Sequence, residues 1–219
     1  MTAADPTSPD WADTAEERVL LAALGLAGDL GWNSTLVTRA ARDAGLSPGD
    51  AELLFPQGAR DLAALASRRH LRIAMAELAR LDPSTLKIRE RIARGVEAKM
   101  EATAADGRAS RRLGGFLALP PNLALGTRLL WEAADAIWRW AGDTATDENH
   151  YTKRLILSAV LAEVIAVRLT SGRQAAQGEL AARIDNVMAF EKLKAGLPRL
   201  GLGDQLAGAL ARLRYGRSG

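Results

Sequence analysis

Residues 34–61 read STLVTRAARDAGLSPGDAELLFPQGARD, and their punctuation decides the fold. Ser34 is placed to cap a helix that runs to Ala44 and stops at Gly45. Pro48 to Leu54 makes a second helix of barely two turns, Phe55-Pro56 breaks it, and a long helix is expected from about Ala59 to Leu81. Two short helices around a glycine turn, followed by a long one, have the spacing of a helix-turn-helix inside a helical bundle. A recognition helix that reads DNA needs donors for phosphates and base edges. The candidate offers only Ser47, Pro48, Gly49, Asp50, Ala51 and Glu52. Over the whole stretch Arg39, Arg42 and Arg60 face Asp43, Asp50, Glu52 and Asp61, a net of −1 against a polyanion. The motif is therefore expected to be a vestigial scaffold that binds no nucleic acid.

Working outward, the same signals recur along the chain. Asp13 with Glu16 has capping-box spacing and opens a helix to about Asp29. Asp82-Pro83 starts a charged helix through Lys99 that ends near Gly107, and Arg108 to Phe116 follows. Pro120-Pro121-Asn122 leads into a helix ending at Gly142. Further helices are expected from Asp147 to Thr170, from Arg173 to Ala195 and from Leu200 to Tyr215. With 43 Ala and 34 Leu against 7 Val and 7 Ile among 219 residues, the composition agrees with an all-α chain. The expected organisation is a loose tail over 1–12, one helical domain over 13–195 and a C-terminal helix over 196–219.

Several chemistries are excluded by composition. Without cysteine there is no disulfide, thiolate metal site or cysteine nucleophile. With His70 and His150 alone, no multi-histidine metal centre can form. No cofactor is expected. The longest apolar run, Leu155 to Val167, is interrupted by Glu163 and is too short for a bilayer span. The acidic N-terminal stretch shows no targeting segment, so the expected location is cytoplasmic and peripheral to the inner membrane.

Residues 117–154 read LALPPNLALGTRLLWEAADAIWRWAGDTATDENHYTKR. This stretch resembles the most characteristic segment of the ubiquinone-biosynthesis accessory proteins, the Coq-nine family. The runs LFPQGARDL at 54–62 and IDNVMAFEKLK at 184–194 also fit, and the likeness extends from about 15 to 215. His150 departs from it, standing where the family commonly has Trp. The Ala44-Gly-Leu-Ser47 and Leu54-Phe-Pro-Gln-Gly58 strings resemble the N-terminal domain of the tetracycline-repressor family. Together the resemblances imply a tetracycline-repressor-like helical bundle that binds lipid instead of DNA, with a homodimer left open.

The residues support a physical reading of their own. Trp131, Ala134 and Trp138 recur at i, i+3 and i+7, with Leu123 and Thr127 on neighbouring turns. Such a face is either core or the wall of an apolar site, with Phe116, Leu119 and Leu123 at its mouth. The resemblance favours the second, so Phe116, Leu119, Leu123, Trp131 and Trp138 are the expected lipid contacts. Asp143, Thr144, Thr146 and Asp147 have the residue types that close one helix and open another. In the resembling family this surface docks a ubiquinone-pathway hydroxylase, which makes Asp143, Asp147, His150, Tyr151, Lys153 and Arg154 the expected partner contacts. No nucleophile, base and orienter converge in sequence, so no catalytic residue is expected.

At the C-terminus Leu202, Leu206, Ala209, Leu210 and Leu213 form one apolar stripe, flanked by Arg199, Arg212, Arg214 and Arg217. From Lys192 onward six cations face one acid, a regional +5 in a chain of net +3. Two readings stand: a last packed helix, or an anchor to an anionic membrane surface through Leu202, Leu206, Leu210, Arg212, Leu213 and Arg214. The expectation overall is a non-enzymatic, lipid-binding accessory protein that presents an isoprenoid quinone intermediate, or another lipid, to a membrane-associated hydroxylase. The competing reading is a ligand-responsive transcription regulator.

Overall fold

A computed structural model of the chain describes residues 9–144 and 148–196. Of the tail expected over 1–12, residues 9–12 are instead helical, while 1–8, Asp147, and the C-terminal helix with Leu202, Leu206, Leu210, Arg212, Leu213 and Arg214 lie outside the described residues. Among those residues the protein is all-α, as composition and punctuation predict, with no strand. The helices are α1 Pro9–Leu30, α2 Ser34–Asp43, α3 Pro48–Leu54, α4 Ala59–Leu78, α5 Ile88–Ala104, α6 Gly107–Leu117, α7 Leu123–Trp140, α8 Glu148–Ser171 and α9 Arg173–Gly196. Single 3₁₀ turns occupy Pro83–Thr85 and Pro120–Asn122.

Three helix starts differ from the sequence expectation, each for a local reason. Asp13 lies inside α1 and not at its start, because the helix already begins at Pro9, whose fixed φ suits a first turn. The cap of α2 is Asn33 in place of Ser34: its Oδ1 accepts the Leu36 N–H at 3.0 Å. Asp82 caps only the 3₁₀ turn, accepting from Ser84 N at 2.8 Å, and the backbone is extended again at Leu86. The next helix starts at Ile88, where Glu90 Oε2 accepts the Lys87 N–H at 2.9 Å. The cap of α3 is as predicted, with Ser47 and Asp50 forming a reciprocal capping box.

Glycine sets two of the helix ends. Gly45 and Gly142 have φ of +76° and +91°. At α2 the Gly45 and Leu46 N–H groups return to Arg42 and Ala41 carbonyls at 3.0 and 2.9 Å. At α7 Gly142 and Asp143 return in the same pattern to Arg139 and Trp138, both at 3.0 Å. Both ends are Schellman motifs, which use carbonyls that would otherwise lack partners.

The described chain divides into two compact units. The first comprises the described residues up to Ala76 together with Lys99–Leu129. Its core joins Val19, Leu20, Ala23 and Ala27 of α1 to Leu36 and Ala40 of α2, Phe55, Leu62 and Ala66, and Ala109 and Leu113 of α6. The small alanines let these helices approach closely, and Trp32 fills the corner, donating its Nε1–H to Ala109 O at 3.1 Å. The second unit comprises Glu77–Ala98 and the described residues from Leu130 onward. Its buried residues include Ala133, Ala134, Ile137 and Ala141 of α7, Leu157, Leu161 and Val164 of α8, and Ala176, Leu180 and Ile184 of α9.

Candidate functional site

The corner from α7 into α8 belongs to the second unit and carries the most elaborate side-chain chemistry there. Its seam is built by the Ala133, Ala134, Ile137 and Ala141 face, which packs inward. Trp131 and Trp138 therefore fall at the rims of that face, half-buried. Trp138 Nε1–H donates to the Lys153 carbonyl at 3.2 Å, and the Lys153 ammonium lies 5.2 Å from the indole centroid. Trp131 faces Tyr151 at 6.2 Å between ring centroids, with the rings tilted by 31°.

Arg154 holds the corner together. Its Nε donates to Asp135 Oδ1 of α7 at 2.6 Å. Its Nη1 donates to Asp143 Oδ2 in the turn at 3.0 Å and to the His150 carbonyl at 3.2 Å. The other Asp143 oxygen accepts from Lys153 Nζ at 2.8 Å, while Asp135 also pairs with Arg139 at 2.8 Å. One side chain thus ties the last turns of α7, the turn and the first turns of α8 to each other. Burial alone would raise the Asp143 carboxyl, but the hydrogen bonds from Lys153 and Arg154 and their charges outweigh it and hold it below the usual carboxylate range.

Two partner contacts expected on the surface are corrected by this geometry. The Arg154 side chain is 1% exposed and that of Asp143 is 6% exposed, so neither is available to a docking protein. The reason is charge pairing: the guanidinium matches two carboxylates supplied from the preceding helix and turn, which allows its burial. A signal for it exists in the sequence, since Arg154 shares a helical face with Leu157, Ser158 and Leu161, all buried.

What the corner does present is aromatic. Tyr151 is exposed, and His150 meets it edge-on at 5.2 Å, so the residue that departs from the resembling family still makes an aromatic contact. Leu155, one turn on, is exposed as well, and Ala159, Ala162 and Ala166 continue an uncharged exposed stripe along α8. Lys153 is partly exposed beside it.

The five residues expected to contact lipid fall into different units. Phe116 packs against the core of the first unit, while Leu119 and Leu123 stand exposed on either side of the Pro120–Asn122 turn. Trp131 and Trp138 belong to the corner just described.

The first unit also holds a buried polar group that sequence reasoning misses. His70 on α4, 1% exposed, meets Asp106 Oδ2 through Nε2 at 2.7 Å, and its Nδ1 has no partner. Lys99 on α5 is also buried, with Nζ 3.3 Å from both Ser67 O and Thr103 Oγ1. Burial first, then the Lys99 charge, push the His70 imidazole down to about 4 against the pull of Asp106. Burial pushes the Lys99 ammonium down to about 8. The available signal is position: His70 follows Ala63 and Ala66 and precedes Ala74 on the apolar face of α4. Among the described residues, no three His, Asp or Glu side chains converge as metal ligands. Ser158 Oγ is committed to the Arg154 carbonyl at 2.7 Å.

These observations define the class: an all-α protein whose helix corner, locked by buried ion pairs, displays an aromatic and apolar face. Residues 123–191, which contain that corner, match the COQ9 family model. The chain is 26% identical over 151 residues to "Ubiquinone biosynthesis protein COQ9, mitochondrial" of Bos taurus, covering 66% of this chain and 47% of the bovine protein. It is 26% identical over 151 residues to the Homo sapiens protein of the same name, covering 66% and 48%. The Xenopus laevis protein COQ9-B is 27% identical over 157 residues, covering 66% and 52%. The chain is thus similar to the COQ9 proteins over these stretches, and it spans about half the length of these relatives.

Proposed function

We propose that the chain is a non-enzymatic, lipid-binding accessory protein of ubiquinone biosynthesis that presents an isoprenoid quinone intermediate to a hydroxylase. The observation that carries this reading is the α7–α8 corner. Arg154, Asp135 and Asp143 fix the start of α8 rigidly, and the fixed helix displays Tyr151 and Leu155. A preorganised aromatic beside an apolar neighbour is the kind of anchor around which protein interfaces concentrate their affinity. The same corner falls within the stretch that matches the COQ9 family, whose curated members are named for ubiquinone biosynthesis.

Delivery of a lipid asks little of chemistry and much of surface. In the first unit Leu119 and Leu123 flank a turn of two prolines and offer exposed apolar contacts, with Phe116 behind them. An apolar chain leaving a bilayer for such a surface gains little from burial alone, so the ligand is exchanged and not trapped. The C-terminal stripe with Arg212 and Arg214 is the proposed contact with an anionic membrane surface, on the strength of its sequence. The regulator reading is disfavoured by α3, where Pro48, Glu52 and Leu53 are the exposed side chains and no cationic residue is present.

The test is a pull-down with the cognate hydroxylase, together with mass spectrometry of lipid extracted from the purified protein. Tyr151→Ala and Leu155→Glu should weaken capture of the hydroxylase while leaving the fold intact. Capture undiminished in both folded variants, or a purified protein free of isoprenoid lipid, defeats the proposal.

A further inference from the structure

The first unit contains a cavity of about 520 Å³ that the proposed function does not use. Its wall is formed by the end of α3 and the turn after it, one face of α4, Glu16 of α1, and the first turns of α7. The size lies within the range of pockets that enclose small organic molecules. The wall is divided in character: Leu54, Leu65 and Leu125 are apolar, whereas Arg60, Arg68 and Arg128 are cationic.

Arg60 decides what such a space would hold. Its Nε is shut off from solvent and has no hydrogen-bond partner, and Arg60 makes no ion pair among the described residues. A buried guanidinium N–H without an acceptor is unfavourable, and guanidinium carries donors only, so the missing partner must be an acceptor and is best an anion. The two carboxylates on the wall do not fill the role. Asp61 is engaged by the turn, its Oδ2 accepting the Gln57 N–H at 2.6 Å. Glu16 is crowded by burial and by the charges of Asp13 and Asp61, which raise its carboxyl above the usual range.

Charge balance sets the valence of the ligand. A second negative charge would lie close to the Glu16 and Asp61 carboxylates of the same wall, so a monoanion fits where a dianion is repelled. A planar carboxylate matches the guanidinium fork, and the leucines favour a compact carbon framework over a fully polar ion.

We propose that this cavity binds a small organic monocarboxylate, whose carboxylate pairs with Arg60 and whose carbon framework lies against Leu65 and Leu125. The site shares no residue with the α8 surface and does not depend on the lipid-delivery reading.

Equilibrium dialysis of the full chain against radiolabelled benzoate tests it. Saturable binding to one site is expected. Arg60→Gln should weaken it about tenfold or more, as expected for loss of a charged hydrogen-bond partner. Ala124→Phe fills the cavity from an exposed position on α7, leaves Arg60 in place and should abolish binding; it decides the matter if the Arg60 variant fails to fold. Inorganic phosphate at pH 8, mainly a dianion, should not displace benzoate. Absence of saturable binding, full retention in the folded variants, or displacement by phosphate as effective as by unlabelled benzoate overturns the proposal.

Discussion

Lys99 in the first unit and Arg154 in the second are both buried cations, and the two units treat them in opposite ways. Arg154 is met by Asp135 at 2.6 Å and Asp143 at 3.0 Å, so its charge is matched by two carboxylates in a closed environment. Lys99 has only a carbonyl and a hydroxyl at 3.3 Å, and burial drives it toward its neutral form. The difference is one of supply. Carboxylates at the end of α7 and in the turn stand ready for the first turns of α8, whereas Asp106, the acid at the end of α5, is taken by His70 and Arg69. Burying a charge costs stability unless its partner is built in, and only one of these sites has the partner.

The largest effect should come from breaking the compensated site. Arg154→Met leaves Asp135 with the exposed Arg139 and Asp143 with the partly exposed Lys153 as their remaining ion-pair partners, and removing one partner of a buried pair typically costs about 3–5 kcal/mol. Urea denaturation should show that loss. Replacing Asp135 and Asp143 by Asn in the same chain should recover much of it, since the carboxylates that lost their buried partner are then gone. A loss below about 1 kcal/mol for Arg154→Met would be typical of an exposed pair and would show that the cluster is not buried in solution.

Lys99→Met should act with the opposite sign. The unfolded lysine titrates at 10.5 and the folded one at about 8, so between those values the unfolded chain binds more protons and stability rises with pH. At neutral pH the charged form is penalised by up to ~3 kcal/mol, since each pH unit between the two values is worth about 1.4 kcal/mol. Methionine removes that penalty: the variant should be more stable near pH 7, and the rise from about 8 to 10.5 should vanish. Equal stability of the two proteins at pH 7, with the alkaline rise intact, would contradict the assignment.

His70 supplies the acid side of the same comparison. Its folded value of about 4 lies below the ordinary 6.5, so here too the unfolded chain holds more protons between the two values. Stability is complete above about 6.5 and is lost progressively as pH falls to about 4. The loss is at most ~3 kcal/mol, on the same conversion of pH units into free energy. Because the Lys99 charge contributes to the depression, Lys99→Met should move the lower end of this acid transition upward. Denaturation midpoints measured from about pH 4 to 7 in both proteins check it. An acid transition unmoved by the substitution would show that burial acts alone.

Helix stops are legible in the sequence because they depend on one residue each. Gly45 and Gly142 end α2 and α7 through backbone geometry that only glycine adopts readily, and no distant neighbour can change that. The apolar face of α7 is harder to read. Trp131 and Trp138 dominate the pattern by size, but the closest packing selects Ala133, Ala134 and Ile137 and leaves the large rings at the rims. Arg154 and His70 are harder still, since a charged or polar side chain on an apolar helix face reads as exposed until its partners are known. Those partners come from 19 residues away for Asp135 and from 36 for Asp106, distances that local pattern does not span.

Lys153 offers the finest division of the comparison, because it shares Asp143 with Arg154 and differs from it in exposure. Its ammonium lies 2.8 Å from Asp143 Oδ1 and over the Trp138 ring, yet its side chain is 37% exposed while that of Arg154 is 1% exposed. Water screens a pair of that exposure, and exposed pairs contribute between nothing and about 1 kcal/mol. Lys153→Met keeps the alkyl stem against the indole and leaves Asp143 paired through its other oxygen, so no buried charge is stranded. The expected loss is therefore under about 1 kcal/mol. Salt should separate the two substitutions as well: exposed interactions weaken within a Debye length of about 8 Å at physiological ionic strength, and buried ones are screened far less. The cost of Lys153→Met should shrink further in molar salt, while that of Arg154→Met persists. Equal costs for the two substitutions would mean that charge count at Asp143, and not burial, governs the corner.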